Sequence, residues 1–470
     1  NGLVKDDLRI APLGGASAWT FHNWFGAVWH RIMNLFGDFP LMYTFFFVGT
    51  ILSALTVIPG FFIGKKLTKN NVGGFFTAFM LAVTSFFVAR TTGESSDTDV
   101  YTVFFPVLIT WLFLEAFEAK ELKKKIVWIS LAGISTGIFS FAWSGWWYVF
   151  DFILGTIGIY LVYLLILNWK DLNRFIKTKL FLETIYVWLT YFISSALIVA
   201  LFFDFKAIYY GLIGPLGFMQ IKAVAVSSLW PNIMTTVAEL NVAPISAVIQ
   251  QLGGMFLFIL AMLGVILTLI HKDEDNQRDI KVAIFLGIWF LASLYATTKG
   301  VRFILQITPV FSIALGAFLG ISWEYASKWI AKELKLSKMV TMIAVFVLLS
   351  LLLIQPVKAG YDAAYRSLPA MNDGWYNTLT KIKNSAPENI IITSWWDFGY
   401  WFRAIADRPV TFDGGTQVDW GAHWVGKSLL TNDEKLTVGI VKMLNCGNNR
   451  AFEELDKILN DTHLEINILD

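Results

Sequence analysis

Val100-Tyr101-Thr102-Val103-Phe104-Phe105-Pro106-Val107-Leu108-Ile109-Thr110-Trp111-Leu112-Phe113-Leu114 carries no charge, and Lys120, Lys123, Lys124 and Lys125 follow shortly after it. An apolar run of this kind, extended to 100–118, reads as a membrane-spanning helix. The lysine cluster marks its cytoplasmic end, because spanning helices leave their basic loops inside. Asp97-Thr98-Asp99 stands at the other, outward mouth of the same helix. Apolar runs of spanning or near-spanning length recur at 40–63, 72–89, 126–143, 146–167, 181–203, 250–270, 281–297, 303–322 and 339–356. The loops alternate in charge. Basic loops carry Lys65, Lys66 and Lys69; Lys120, Lys123, Lys124 and Lys125; Lys170, Arg174, Lys177 and Lys179; Lys272, Arg278 and Lys281; and Lys328, Lys332, Lys335 and Lys338. The remaining segments, 1–39, 90–99, 144–145, 204–249, 298–302 and everything after 356, then face outward. An outward Asn1 implies a further spanning helix ahead of it, and the chain reads as a piece truncated at both ends.

Composition supports this reading. Of 470 residues 56% are hydrophobic and only 15% charged, with 20 Trp and 41 Phe, against roughly a quarter charged in soluble domains. The net charge of +2 gives no reason to expect a nucleic-acid partner. A single cysteine, Cys446, excludes an internal disulfide framework. The five histidines have no metal-ligand spacing, so any metal would be held by carboxylates and would be a hard ion such as Mg²⁺ or Mn²⁺. The expected fold is a polytopic α-helical membrane domain over 1–356 with about ten visible spans, a long outer loop at 204–249, and a mixed α/β extracytoplasmic domain over 357–470. In the latter, 389–393 and 409–412 read as strands, 372–384, 424–430, 436–444 and 450–459 as helices, and 464–469 as a strand cut off at Asp470. Residues 1–39 read as a loop followed by an aromatic interfacial helix.

Several residues on the outward side can carry chemistry. Asp97 and Asp99 can aim two carboxylates at one cation, or either can cap the helix that follows; Arg90 can pair with one of them. Glu239, in Thr236-Val237-Ala238-Glu239, is the lone acidic residue of the long loop between Lys206 and Asp273; by itself it reads as a solvated carboxylate. Arg302 opens a span. It can snorkel to the headgroups or clamp a lipid phosphate with its fork. Asp151 and Glu183 lie within spans; Glu183 is expected to reach water at the cytoplasmic end, and no partner is evident for Asp151. Beyond the last span stands Ser394-Trp395-Trp396-Asp397-Phe398-Gly399-Tyr400-Trp401. It reads either as a rigid aromatic pocket with one acceptor, or as a helix capped by Asp397 beside two core aromatics. An Asp413-Gly414-Gly415 turn follows on the same outward side.

Together, Arg90 with Asp97-Thr98-Asp99, Thr236-Val237-Ala238-Glu239, and Trp395-Trp396-Asp397-Phe398-Gly399 resemble the catalytic subunit of oligosaccharyltransferase, the family of eukaryotic Stt3, bacterial PglB and archaeal AglB. The archaeal, single-subunit style is the nearest match. The resemblance implies about thirteen spans. It also implies transfer of a preassembled glycan from a dolichol-type lipid (di)phosphate to the Asn side-chain nitrogen of Asn-x-Ser/Thr in an acceptor polypeptide. That reaction would be inverting and dependent on Mn²⁺ or Mg²⁺. It would run on the extracytoplasmic face of a multi-pass protein of the cell (plasma) membrane. By the resemblance Asp97, Asp99 and Glu239 hold the metal and act in catalysis, and Glu239 also contacts the acceptor amide. Trp395, Trp396 and Asp397 hold the sequon hydroxyl, Arg302 holds the lipid phosphate, Tyr400 lines the sugar side and Arg90 supports the pair of aspartates. Phe398 stands where the family has tyrosine and is expected to pack. The family's first-loop aspartate is not found: Asp6 and Asp7 lie too close to Pro12-Leu13-Gly14. The second acceptor motif is expected beyond Asp470. The rival readings are another lipid-phosphate-dependent glycosyltransferase, such as a protein O-mannosyltransferase, and a transporter or flippase, which the one-sided clustering disfavours. Asn460-Asp461-Thr462 is itself a sequon.

Overall fold

The computed structural model describes residues 4–17, 20–93, 97–221, 230–270 and 280–469. Lys272 and Arg278 of one basic loop, and Glu94–Ser96 of the Asp-x-Asp turn, lie outside the described residues. The chain packs as two compact units: 20–218 with 241–368, and 1–19 with 219–240 and 369–470. This differs from the expected division at 356/357. The last apolar helix does not stop at Pro356 but runs on to Tyr365. Residues 4–17 and the middle of the long loop pack with the C-terminal unit rather than with the spans.

The larger unit is the membrane domain. Among its described residues eight helices are long and apolar enough to cross a bilayer: Leu41–Thr68, Thr98–Glu118, Leu122–Ala142, Trp147–Leu167, Lys179–Phe202, Ile280–Thr297, Val301–Glu333 and Lys338–Tyr365. Each matches an expected span. Two expected spans are broken. That at 250–270 is a pair, Ile245–Gln251 and Met255–Ile270, bent by 85°. The bend falls at Gly253 and Gly254, whose φ values of +112° and +94° are open only to glycine. That at 72–89 is a helix over Asn71–Val83 that stops at Thr84 and restarts as Ser85–Ala89. At this break Gly360 of the last helix lies so close that a Cβ on it would sit 2.4 Å from the Val83 carbonyl oxygen. The interfacial helix is Phe21–Met33, capped by Thr20.

Val301–Glu333 is the axis of the bundle, with Ile304 to Ala317 buried without a break. Small residues let its neighbours close on it, as in lipid, where packing rather than the hydrophobic effect joins helices. A Cβ on Gly316 would lie 2.0 Å from Thr77 Oγ1, and one on Gly264 would lie 1.9 Å from the Ala314 carbonyl oxygen. Gly264→Ala must therefore push Met255–Ile270 off the axis helix. A loss of about 1–3 kcal/mol is expected, read as a lower melting temperature of the detergent-solubilised protein.

Ion pairs gather at the ends marked by the lysine loops. Lys66 reaches Glu115 (3.0 Å) and Glu118 (2.7 Å), and Lys69 reaches Glu118 (2.9 Å). Glu183 sits at the cytoplasmic end, as expected, with only the edge of its side chain accessible. It is buried and held by Lys125 at 2.8 Å and Lys179 at 3.7 Å, since a buried carboxylate persists only when paired. Asp151 keeps one carboxylate oxygen, Oδ2, without a hydrogen-bond partner among the described residues.

The C-terminal unit is mostly helical. Asp373–Ser385, Trp396–Ala404, Asp419–Leu430, Glu434–Gly447, Arg450–Leu459 and Thr462–Leu469 surround a core of Phe412, Trp424, Val425, Ile440, Leu444 and Phe452. Its described strand content is a hairpin, Val4–Asp6 with Gly15–Ser17, and a single parallel bridge, Ile392 to Val410, between the two runs expected as strands. The expected strand at 464–469 is a helix. Asp461 accepts from the backbone N–H of His463 and Leu464, both at 3.1 Å, and Glu465 accepts from the Asp461 N–H at 2.8 Å. This reciprocal cap overrides the alternating pattern.

Candidate functional site

In the membrane unit the site starts at the Thr98–Val100 turn that opens the Thr98–Glu118 span. Asp97 is exposed and caps this turn, accepting from the Thr98 N–H. Asp99 is buried, and its two oxygens meet two guanidiniums: Arg302 Nη2 at 3.2 Å and Arg90 Nη1 at 3.5 Å. Arg302 comes from the Val301–Phe303 turn at the head of the axis helix, so Asp99 ties the starts of two spans together. Arg302 thus points neither to water alone nor away from the aspartates. It shares Asp99 with Arg90, which settles on Asp99 rather than Asp97. His22 is also present, though no sequence motif marked it. Its Nδ1 lies 3.0 Å from Tyr101 Oη, burial pushes its pKa down, and Asp97 partly opposes that shift.

In the C-terminal unit the segment 230–240 lies against the aromatic motif. Trp230 packs edge-on to Phe452 and Trp424, and Ile233 enters the core. The Ile233 N–H donates to Asp419 Oδ1 at 3.1 Å, and Trp396 Nε1 donates to Thr236 Oγ1 at 3.3 Å. Glu239, three residues after Thr236, is thereby carried to the motif. Asp397 registers it: partial desolvation of its carboxyl by the neighbouring side chains, and then the Glu239 carboxylate, push the Asp397 pKa up from the usual carboxylate range. Asp397 is exposed in the first turn of Trp396–Ala404, while Trp395 takes the cap position. The motif is therefore a helix start, but Asp397 is free of the capping duty. Trp395 packs edge-on against Phe412, at 5.8 Å between ring centroids. Phe398 stacks on Trp375 at 5.2 Å, so the ring that stands where the family has tyrosine is a packing ring. Gly399 is required by close approach, since a Cβ there would lie 2.5 Å from both the Phe412 carbonyl oxygen and Asp413 Cβ.

The Asp413-Gly414-Gly415 turn is the buttress beneath this helix. Asp413 is fully buried and accepts from Arg403 Nη1 (2.6 Å), the Gly415 N–H (2.9 Å) and Thr416 Oγ1 (2.9 Å). Arg403 also binds Asp6, and Arg9 donates to the Gly415 carbonyl. Asp6 thus pairs with Arg403, and Asp7 pairs with Lys5 at the surface. Tyr400 leans on the same turn, where a Cβ on Gly414 would touch its ring at 2.9 Å. Sequence reasoning assigned Arg403 no role. The available signal was its place seven residues after Trp396 and three after Tyr400, on one helix face, with an Asp-Gly-Gly turn downstream.

Among the described residues no three His, Cys, Asp or Glu side chains stand together as a metal set. Asp99 is already matched by two guanidiniums, and Asp97 caps its own turn. Asp97 uses one oxygen, Oδ1, on its own turn, which leaves Oδ2 able to take a hard cation. Asn460 is exposed at the left-handed end of Arg450–Leu459.

The chain matches the family model described as oligosaccharyl transferase STT3, N-terminal, over residues 1–355. It is 26% identical to the dolichyl-phosphooligosaccharide-protein glycotransferase of Methanococcus voltae, aligned over 95% of this chain and 58% of that protein. It is also 26% identical to the protein of the same description from Methanocaldococcus jannaschii, over 93% and 60%. The chain thus spans about three fifths of these relatives' length. Its fold is that of the Archaeoglobus fulgidus oligosaccharyltransferase AglB. The form tethered with an acceptor peptide containing the NVT sequon superposes with a TM-score of 0.70 at 16% identity, covering 94% of this chain and 62% of that one. The form in complex with an inhibitory peptide and a dolichol-phosphate gives 0.64 at 17% identity, covering 88% and 58%. With three quarters of its length inside the family model, the chain belongs to the STT3 oligosaccharyl transferase family.

Proposed function

We propose that the chain is the catalytic part of a dolichyl-phosphooligosaccharide–protein glycotransferase. It moves a preassembled glycan from a dolichol-type lipid mono- or diphosphate to the Asn nitrogen of an Asn-x-Ser/Thr acceptor. One observation carries this reading beyond family membership: Thr236 and Trp396 are hydrogen-bonded, so Glu239 and Trp395-Trp396-Asp397 share one surface. In this reading the acceptor's hydroxyl donates to Asp397, and the two tryptophans pack its carbon neighbours. Glu239 accepts from the acceptor NH₂. An amide nitrogen is a poor nucleophile because its lone pair is conjugated, and a carboxylate hydrogen-bonded to its N–H weakens that conjugation. Arg302, held by Asp99, takes the charge that grows on the leaving phosphate. A single displacement inverts the anomeric carbon. The reaction runs outside the cell membrane, on the face opposite the lysine loops, in a single-subunit enzyme. Dependence on Mn²⁺ or Mg²⁺ belongs to the proposal through the resemblance, and no step here is routed through the ion.

The test is glycopeptide formation from a lipid-linked sugar and an Asn-x-Thr peptide. Glu239→Ala, which removes the contact to the acceptor NH₂, and Asp97→Ala, which removes the carboxylate that the resemblance gives to the metal, are each expected to lower turnover at least about 10²-fold. Near-normal transfer by either sinks its assignment. Asp397→Ala is expected to raise the acceptor KM with the donor KM unchanged, and an unchanged acceptor KM removes the hydroxyl clamp. Chelation should stop transfer and added Mn²⁺ restore it. Mannose appearing on Ser or Thr would favour the O-mannosyltransferase reading, and movement of the lipid without transfer the flippase.

A further inference from the structure

Away from Asp97, Asp99, Arg90 and Arg302, and sharing no residue with them, the membrane unit carries a groove of about 540 Å³ between Asn71–Val83 and the last helix. Phe75, Phe79, Leu353, Val357, Lys358 and Tyr361 are among its lining residues. Its shape follows from two features of the sequence. Gly360 brings the last helix into backbone contact at Val83, which fixes the two helices at one end. At the other end Phe346 packs on Phe75 and Phe76, with centroids at 5.4 and 5.6 Å, and holds the helices together there. Between these points the helices stand apart and leave an apolar slot. Lys358 and Tyr361, both exposed, stand at its mouth, at the end away from the Lys65, Lys66 and Lys69 loop.

We propose that this groove is a binding site for an anionic membrane phospholipid, with one acyl chain lying in the slot and the phosphate paired with Lys358. The dimensions agree: from Ser350 to Tyr361 the lining helix rises about 17 Å, close to the roughly 15 Å of one leaflet of a 30 Å hydrocarbon core. The chemistry agrees as well. Apart from Ser350, whose hydroxyl is spent on the Phe346 carbonyl at 2.8 Å, the lining is apolar except at the mouth, where the cation is a lysine. A lysine pairs with a phosphate as a point charge and needs no fixed fork geometry. Tyr361 stacks with Tyr365, at 5.9 Å and 11° between planes, and an aromatic pair of this kind sits at headgroup level. The occupant is a bilayer lipid and not the glycan donor, because Arg302 and Asp99 are not part of the groove.

The test is native mass spectrometry of the full chain released from mixed micelles holding phosphatidylglycerol, phosphatidylcholine and dolichyl phosphate at equal concentration. Wild type is expected to retain phosphatidylglycerol at least fivefold over phosphatidylcholine. Lys358→Glu, an exposed change that leaves the packing intact, is expected to abolish that preference. Val357→Trp, which fills the slot, is expected to lose bound lipid of both kinds. Equal retention of the two phospholipids by wild type, or a preference that survives Lys358→Glu, overturns the proposal. So does retention of dolichyl phosphate above phosphatidylglycerol that disappears in Lys358→Glu, which would assign the groove to the donor. The readout needs no transferase activity, so its failure and that of the proposed reaction are distinguishable.

Discussion

Asp413→Ala is expected to destabilise the C-terminal unit by about 3–5 kcal/mol, the scale for removing one partner from a buried ion pair. Asp413 is wholly buried and is the common acceptor for Arg403, the Gly415 N–H and Thr416. Without it, Arg403 keeps only Asp6 as a charge partner, and Arg9 loses the carboxylate 4.0 Å from its Nε. Two largely buried guanidiniums would then face a cavity. The consequence reaches the site, because the same Arg403 lies on the Trp396–Ala404 helix that presents Asp397. The variant should therefore show a lower melting temperature, earlier protease cleavage within 4–17, and a higher acceptor KM. Asp413→Asn should fall between, since an amide oxygen still accepts from the Gly415 N–H while the charge is gone. An unchanged melting temperature together with unchanged cleavage in 4–17 would show that the network does not tie the hairpin to the motif helix.

How much of this was legible beforehand differs by layer. The spans were legible, because a bilayer demands long apolar helices and sorts lysines to one side, and both demands are written locally. Their interruptions were only partly legible. Gly253-Gly254 is a visible break, but nothing local marks the stop at Thr84, where Gly360 packs from almost three hundred residues later. The candidate site residues could be picked out in the sequence only as types at spacings. Their partners could not: Asp99 with Arg302 and Thr236 with Trp396 are contacts between distant segments, and no local pattern encodes them. The strand expected at 464–469 failed because alternation over six residues is a weaker signal than the cap formed by Asp461 and Glu465. The N-terminal hairpin was unreadable as part of the C-terminal unit for the same reason as the ion pairs. Asp6 and Arg9 look like ordinary loop charges until Arg403 and Asp413 are placed beside them.

The Asp99–Arg302 pair gives the sharpest test of mechanism. The resemblance makes Asp99 a metal ligand and Arg302 a phosphate clamp, two independent duties. The contacts of Asp99 with Arg302 at 3.2 Å and with Arg90 at 3.5 Å support a different reading, in which Asp99 aims Arg302 and Arg90 balances the second oxygen. The two readings differ in a double-mutant cycle. Asp99→Ala and Arg302→Ala are each expected to lower turnover about 10²–10³-fold, the range for one lost charge-stabilising group. If Asp99 acts by holding Arg302, both substitutions lose the same contribution, and the double variant is expected to be no worse than the poorer single one. If Asp99 serves a metal separately, the losses multiply to about 10⁴-fold or more. Donor KM separates the outcomes further. A clamp lost through either residue should weaken retention of the lipid phosphate equally in both single variants. A metal ligand lost at Asp99 should instead raise the Mn²⁺ concentration needed for half-maximal rate, with no such shift in Arg302→Ala. The prediction is the first pattern, because two guanidiniums around one buried carboxylate leave it little negative charge to offer a cation.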